Sequence, residues 1–178
     1  MRLIVLLIVL FHFSCTPGSD PGIPKPTANT RTYVPVYEAR STAQQVILQP
    51  PKPMVKTGKI YTIGQYLFQV EVDSGVHIIN YSNPAAPVKI GFIKSLFCSE
   101  MAVKGNYLYI NNLKDLVVLD ITDISKPFEI KRISNTFPSN YNADLPPARN
   151  TFFECPDPAK GIVVGWKQET RDYPKCYR

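Results

Sequence analysis

The chain has little with which to do side-chain chemistry: its 178 residues include two histidines, four cysteines and one tryptophan. No Cys-x-x-Cys, His-Glu-x-x-His or EF-type loop occurs, so none of the spacings that gather metal ligands is present and no cofactor is expected. Basic residues outnumber acidic ones 20 to 14, a net charge of +6. They stand singly, however, at Lys56, Lys59, Lys89, Lys94, Lys104 and Lys114, and no run exceeds Lys131-Arg132; this does not make a nucleic-acid-binding stripe. A membrane-spanning run is also missing. Crossing a bilayer takes roughly 20 apolar residues, and Leu3 to Phe13 supplies about half of that length. What is present is a hydrophobic fraction of 44%, near the globular average, which excludes disorder throughout and a multi-spanning protein. The length suits one core with a tail.

The short apolar run follows Met1-Arg2, is broken only by His12, and ends at Ser14-Cys15. A positive start and a run of this length read as a signal peptide. Past Cys15 the chain turns at once to Thr16-Pro17-Gly18-Ser19-Asp20-Pro21-Gly22-Ile23-Pro24-Lys25-Pro26, a segment with nothing to bury that reads as a tether. A cysteine at that junction resembles a bacterial lipobox, in which Cys15 would be diacylated on sulfur and become the new N-terminus. The alternative is an ordinary signal peptide cut nearby, with Cys15 incidental. Either way His12 leaves with the signal and His77 stays as the single histidine of the mature chain.

From Lys59 the pattern becomes short apolar stretches rich in Tyr, Ile and Val, punctuated by Gly, Asn-Pro and Asp, which predicts strands and tight turns. The stretches repeat. Gly64-Gln65-Tyr66-Leu67-Phe68 matches Gly105-Asn106-Tyr107-Leu108-Tyr109 at an offset of 41, and Val76 to Asn83 matches Leu116 to Asp123 at an offset of 40. Pro87-Val88-Lys89-Ile90 then matches Pro127-Phe128-Glu129-Ile130. A period near 40 with four short strands is the size of one β-propeller blade. The expected strands are Lys59 to Ile63, Tyr66 to Val70, Val76 to Tyr81 and Val88 to Ile93, then Glu100 to Val103, Tyr107 to Asn111, Leu116 to Ile121 and Phe128 to Ile133. The third strand of each copy is apolar on both faces, as in a strand covered from both sides.

Leu116-Val117-Val118-Leu119-Asp120-Ile121-Thr122-Asp123 with Lys126-Pro127, and Gly75-Val76-His77-Ile78-Ile79-Asn80 with Ser82-Asn83-Pro84 and Pro87, resemble the bacterial LVIVD-repeat proteins. These are predicted β-propellers found in exported lipoproteins. The resemblance covers roughly residues 58 to 133 and departs from the family at Asn80 and Tyr81. It implies a location and an architecture, and no ligand. Two units cannot close a ring, since propellers typically need about 4 to 8 blades. Either the remaining sheet comes from the C-terminal part, or chains associate through open sheet edges, or the two sheets pack face to face within one chain; the last is the expectation here.

The flanks complete the reading. Glu38 to Leu48 suits a short helix stopped by Pro50-Pro51-Lys52-Pro53. Residues 134 to 150 read as a long loop, and Gly161 to Trp166 as a final strand. Cys155 and Cys176 flank that strand and form the expected disulfide, worth about 3 kcal/mol. Cys98 lies in the apolar stretch Leu96-Phe97-Cys98 and is expected to pack as a free thiol, although pairings through it stay open. The expected fold is mostly β, an incomplete propeller of two four-stranded antiparallel blade-like repeats with a short N-terminal helix and a disulfide-stapled C-terminal strand. Its parts are a signal at 1–14, a tether at 15–32, an N-terminal flank at 33–57 and a repeat domain at 58–178. Within that domain the repeats fall at about 58–94 and 95–134, and the tail at 135–178.

No nucleophile system with an orienting histidine is expected, because His77 occupies the position of Val117 in the second copy. Glu71 and Asp73 stand two apart in an extended segment, which would put them on one face roughly 7 Å apart, a spacing compatible with glycoside hydrolysis or a cation site; a solvated strand end is the plainer reading. Asp120 and Asp123, like Asn80 and Asn83, suit turns. Tyr33, Tyr37, Tyr141, Tyr173 and Trp166 could line a glycan or peptide groove, or fill a β core. The sequence therefore predicts an exported, membrane-anchored binding or scaffolding module of the cell envelope, on an outer membrane, with no enzymatic activity. Glu71, Asp73, Tyr141 and Trp166 are the candidate binding surface, and an envelope protein or glycan is the partner class. An envelope glycan-active enzyme using Glu71 and Asp73, or a shortened relative of a longer repeat protein, are the alternatives.

Overall fold

The computed structural model describes residues 22–137 and 143–178, so Cys15 and Tyr141 lie outside the described residues. The order of elements is β1 (Thr30–Glu38), one helical turn α1 (Arg40–Ala43), β2 (Ile47–Gln49), then the first repeat as β3 (Thr57–Ile63), β4 (Tyr66–Glu71), β5 (Gly75–Asn80) and β6 (Val88–Lys94). The second repeat is β7 (Met101–Lys104), β8 (Tyr107–Asn112), β9 (Asp115–Asp120) and β10 (Phe128–Ile133). The chain ends with β11 (Phe152–Phe153), β12 (Ile162–Arg171) and β13 (Cys176–Tyr177). The described strands make three open sheets, ordered β2-β6-β5-β4-β3, β10-β9-β8-β7 and β12-β1-β11-β13.

Each repeat is thus one antiparallel four-stranded unit, as its pattern predicts, and the two copies use the same turn chemistry. Asn80 Oδ1 accepts from the Ser82 amide at 2.9 Å and Asp120 Oδ1 from the Thr122 amide at 2.8 Å. One turn later Asn83 accepts from Ala85 and Asp123 from Ser125, at 3.1 and 2.9 Å. Short side-chain acceptors that bond backbone two residues on are what these turns require. At Asp120 the Thr122 amide, and at Asp123 the Ser125 hydroxyl, hold the carboxyl below its ordinary pKa.

The two sheets stack in one direction. Phe68 faces Ile78 and Val70 faces Val76 in register, so these four share one face of the first sheet, its front. Leu108 with Leu119 and Ile110 with Val117 share a face of the second sheet. All eight belong to one buried cluster with Ile93, Cys98, Val103 and Ile121. By the repeat offsets Leu108 corresponds to Leu67 and Val117 to His77, which lie on the back of the first sheet. The front of the first sheet therefore packs on the back of the second, head to tail like successive propeller blades, and like faces do not meet. Burying each Leu, Ile, Val or Phe here contributes about 1.5–3 kcal/mol.

Three expectations for the flanks need correcting. The helix expected over Glu38 to Leu48 is only the single turn Arg40–Ala43. Ile47–Gln49 pairs instead with β6 as a fifth strand, because β-branched Ile47 and the extended bias ahead of Pro50 favour strand over helix there. Second, residues 30 to 38, divided between tether and flank, form β1, which pairs with β12 over Thr30 to Glu38. A proline is disfavoured inside a sheet, and Pro35 stands within β1. It is tolerated because β11 pairs with β1 only at Thr32 and Tyr33, leaving Pro35 without a ladder partner on that side. Third, the final strand runs on past Trp166 to Arg171 to match β1 along its length.

The third sheet joins the N- and C-terminal segments. Cys155 and Cys176 form a disulfide with Cα atoms 5.4 Å apart and a sequence separation of 21, tying β13 to the segment after β11. Replacing both cysteines by serine is expected to lower stability by about 3 kcal/mol, read as an earlier midpoint in urea, whereas an unchanged midpoint would show the bridge to be idle. Cys98 is a buried free thiol. Burial, with the Glu100 and Asp73 carboxylates adding to it, pushes its pKa up to about 12, so the thiol is unreactive in the fold.

Candidate functional site

Glu71 and Asp73 are not brought together on one face. β4 ends at Glu71, and Asp73 sits in the following turn with φ 69°, where alternation along an extended strand no longer applies. Asp73 points to solvent, 54% exposed, and pairs with Lys56 Nζ at 3.1 Å. Glu71 is 3% exposed. Its carboxylate accepts from the Val55 amide at 3.1 Å, from the Lys56 amide, and from His77 Nε2 at 3.0 Å. Burial alone raises the Glu71 pKa, but the Lys56 and Val55 amides and His77 outweigh it and hold the carboxyl below its ordinary range.

The two charges thus serve different ends. Glu71 and His77 fasten residues 52–56 across the back of the first sheet, where Lys52 Nζ lies 3.7 Å from the Phe92 ring centroid and Lys89 donates to the Lys52 carbonyl at 3.1 Å. His77 packs against Phe92 with ring centroids 4.9 Å apart, and its Nδ1 has no hydrogen-bond partner among the described residues. The valine at the same position of the second repeat explains the burial of His77. It gave no hint of the Glu71 partner, since the counterpart of Glu71 is Asn112.

Trp166 is also a packing residue. Its indole Nε1 donates to the Ala143 carbonyl at 2.8 Å, and its ring meets Phe153 edge to face at 5.7 Å. Tyr37 is better placed for recognition. Its hydroxyl accepts from the Asp157 amide at 2.8 Å and it lines a cleft of about 720 Å³ between the second repeat and the third sheet. Its walls include Leu113 from the β8–β9 turn, Phe153 from β11 and Ile162 from β12, and Arg40, Asp144 and Leu145 are also among the lining residues. Leu113, Ile162 and Ala43 pack as a small core beneath it, with Leu96, Phe97 and Val164 against them.

The cleft is held open by a polar scaffold that sequence reasoning missed. Arg132 donates to Asp115 at 3.1 Å, to Asn112 Oδ1 at 2.9 Å, to the Gln44 carbonyl at 2.8 Å and to Glu129 through Nε and Nη2. Burial works against the guanidinium, but the bonds to Glu129 and Asp115 prevail and raise its pKa. Asp115 accepts in addition from the Asn135 amide at 3.0 Å. Asn111, fully buried, accepts from the Ser99 and Glu100 amides and donates to the Phe97 carbonyl. On the other wall, a side chain at Gly161, with φ 120°, would place Cβ 2.3 Å from the Glu38 carbonyl oxygen, so only glycine lets β12 approach β1 there. The one sequence signal for this scaffold was a charge at each end of the apolar run from Asp115 to Asp120.

A cleft of this size with apolar walls and a few polar groups suits a small ligand or a chain segment of a partner. A second groove of about 420 Å³ lies between the repeats at Gly64, Gln65, Gly105 and Asn106, floored by Phe68 and Ile121.

Comparison with known proteins places residues 98–135 as a match to the LVIVD repeat, a repeat of predicted β-propeller-like fold that is not known as enzymatic. The matched stretch is the sheet of the second repeat, from before β7 to just past β10. Neither the curated proteins nor the solved structures contain a match to the chain.

Proposed function

We propose that this chain is an exported lipoprotein, acylated at Cys15, whose LVIVD-type β domain is a non-catalytic binding module of the cell envelope. Its cleft between the second repeat and the third sheet receives a segment of an envelope protein or glycan. The observation that carries this reading is the cleft itself: apolar walls at Leu113, Phe153 and Ile162, with Arg40 and Asp144 among its lining charges. The apolar run ending at Ser14-Cys15 and the proline-rich tether after it support the anchor, and a disulfide suits an oxidising compartment. The glycan-hydrolase alternative loses its basis, since Glu71 is enclosed by donors and Asp73 lies in a turn.

Two variants test the proposal. Cys15→Ala is expected to move the protein from the membrane to the soluble fraction, and its retention in the membrane would overturn the anchor. Arg40→Glu with Leu145→Glu, both exposed cleft residues, is expected to lower capture of envelope protein or glycan at least about tenfold with no change in melting temperature. Equal capture by the variant and the parent would overturn the cleft as the site.

A further inference from the structure

We propose that the Cys155–Cys176 bridge is a redox-sensitive clasp on the cleft: a dithiol reductant opens it, and opening loosens the rim that a ligand meets. The bridge lies within the lining itself. Cys176 lines the cleft, and Cys155 directly precedes Pro156 and Asp157, which line it too. Cys155 is exposed and Cys176 half-buried, so the residue carrying the sulfur to be attacked is open to solvent, as in disulfides that exchange readily.

What the bridge holds has few other fastenings. β13 is two residues long, lies at the edge of the third sheet, and pairs with β11 alone, as Phe152 with Tyr177 and Phe153 with Cys176. Two main-chain bonds between Thr151 and Arg178, each of 3.1 Å, and the contact of the Phe152 and Tyr177 rings at 5.0 Å add to this pairing. The turn before β13 is secured separately. The Tyr173 amide donates to the Thr27 carbonyl at 3.1 Å, and Pro174 is buried, so the stretch that opening the bridge sets free is 175–178. Short, edge-lying pairings of this kind open at low cost.

That stretch carries a second hold on the cleft. Arg178 donates from Nη1 to the Pro146 carbonyl, and Asp144 and Leu145, just before Pro146, are lining residues. On their other side Trp166 Nε1 donates to the Ala143 carbonyl at 2.8 Å. Among the described residues this rim is pinned at two points, and one depends on β13. With the bridge open, Arg178 leaves Pro146 and the rim loses that pin. The exchange balances: a thiolate of the reductant attacks Cys155 Sγ, and Cys176 leaves as a thiolate that takes up a proton. The second thiol of the reductant then displaces Cys155, so the protein gains two electrons and two protons and the dithiol becomes a disulfide.

Alkylation and fluorescence of the full chain, oxidised or treated briefly with dithiothreitol, test this. Cys98 is a buried free thiol and Trp166 the single tryptophan, so one reports unfolding and the other reports the rim. Dithiothreitol is expected to make Cys155 and Cys176 alkylable while Cys98 stays unlabelled, and to shift the Trp166 emission. Arg178→Ala, with the bridge intact, should produce that shift without reductant. A bridge that resists dithiothreitol until the protein is denatured, labelling of Cys98 together with the other two, or an emission unmoved by reduction or by Arg178→Ala would each overturn the proposal. Control of occupancy rests on the cleft being the binding site, and the two fail differently. A cleft that never captures envelope material overturns the binding reading, whereas equal capture before and after reduction overturns the clasp.

Discussion

Gly75→Ala is expected to cost roughly 3 kcal/mol or more, because it combines a strained backbone with a main-chain collision. Gly75 opens β5 with φ 146°. A Cβ there would lie 2.0 Å from the Ile93 carbonyl oxygen and 2.9 Å from the Ser95 amide nitrogen. Neither obstacle is the end of a flexible side chain, so β6 must move away from β5. That movement opens the pairs Gly75 with Lys94 and Val76 with Ile93 and disturbs Val76 and Ile93, both in the core between the two repeats. Asp115 holds the same place in the second repeat, where a side chain is accommodated. Asp115→Gly is therefore not the mirror experiment, since it removes the partner of Arg132. Urea denaturation of Gly75→Ala is the check: a loss of about 1 kcal/mol or less, on the scale of an ordinary surface substitution, would mean that β5 and β6 are not so closely apposed.

Glu71→Ala is expected to cost about 3–5 kcal/mol, the loss seen when one partner of a buried pair is removed. Three donors lose their acceptor together: the Val55 and Lys56 amides and His77 Nε2. Residues 52–56 lose their fastening, and the back of the first sheet is opened to water. Glu71→Gln keeps the shape but sets an NH₂ among donors, for a smaller loss of about 1–3 kcal/mol.

The same carboxylate makes a pH signature. Its folded pKa is lowered from the ordinary 4.5, so its contribution is complete above that value and is lost as pH falls through the folded pKa. The parent protein should therefore lose stability in acid below about pH 4.5, and Glu71→Gln should flatten that limb. An acid limb identical in the two proteins would show that Glu71 does not carry it.

The repeat was the legible part of this molecule, and the reason is physical. Strand alternation, the Asn and Asp turns and the 40-residue offset are local features, and each was read directly from residues such as Tyr66 to Phe68 and Tyr107 to Tyr109. The Cys155–Cys176 bridge was legible for the same reason, since its two ends flank one strand. The third sheet was not. Its long pairing runs from Thr30 against Arg171 to Glu38 against Ile162, across most of the chain, and Pro35 disguised the partner strand. Helical spacing at Ala39, Ala43 and Val46 proved weaker than the open edge of β6, which recruits Ile47 to Gln49.

The site was harder to read than the fold. Glu71 and Asp73 looked like a pair because extended spacing was assumed beyond the end of β4. The true associations, Glu71 with His77 and Arg132 with Asp115, join residues whose repeat counterparts differ in kind. Repetition exposes the positions that recur and says little about those that do not. The cleft is built almost wholly from such positions, Tyr37, Leu113, Phe153 and Ile162 among them, and from a sheet with no counterpart in either repeat.

The most direct test of the binding-module account is a photo-crosslinking amino acid placed at Leu145 in the cleft and, separately, at Ile60 on the first sheet, in living cells. The account predicts a discrete cross-linked envelope species from Leu145 that is absent at Ile60 and disappears with Arg40→Glu. No adduct at Leu145, or the same adduct at both positions, would contradict it.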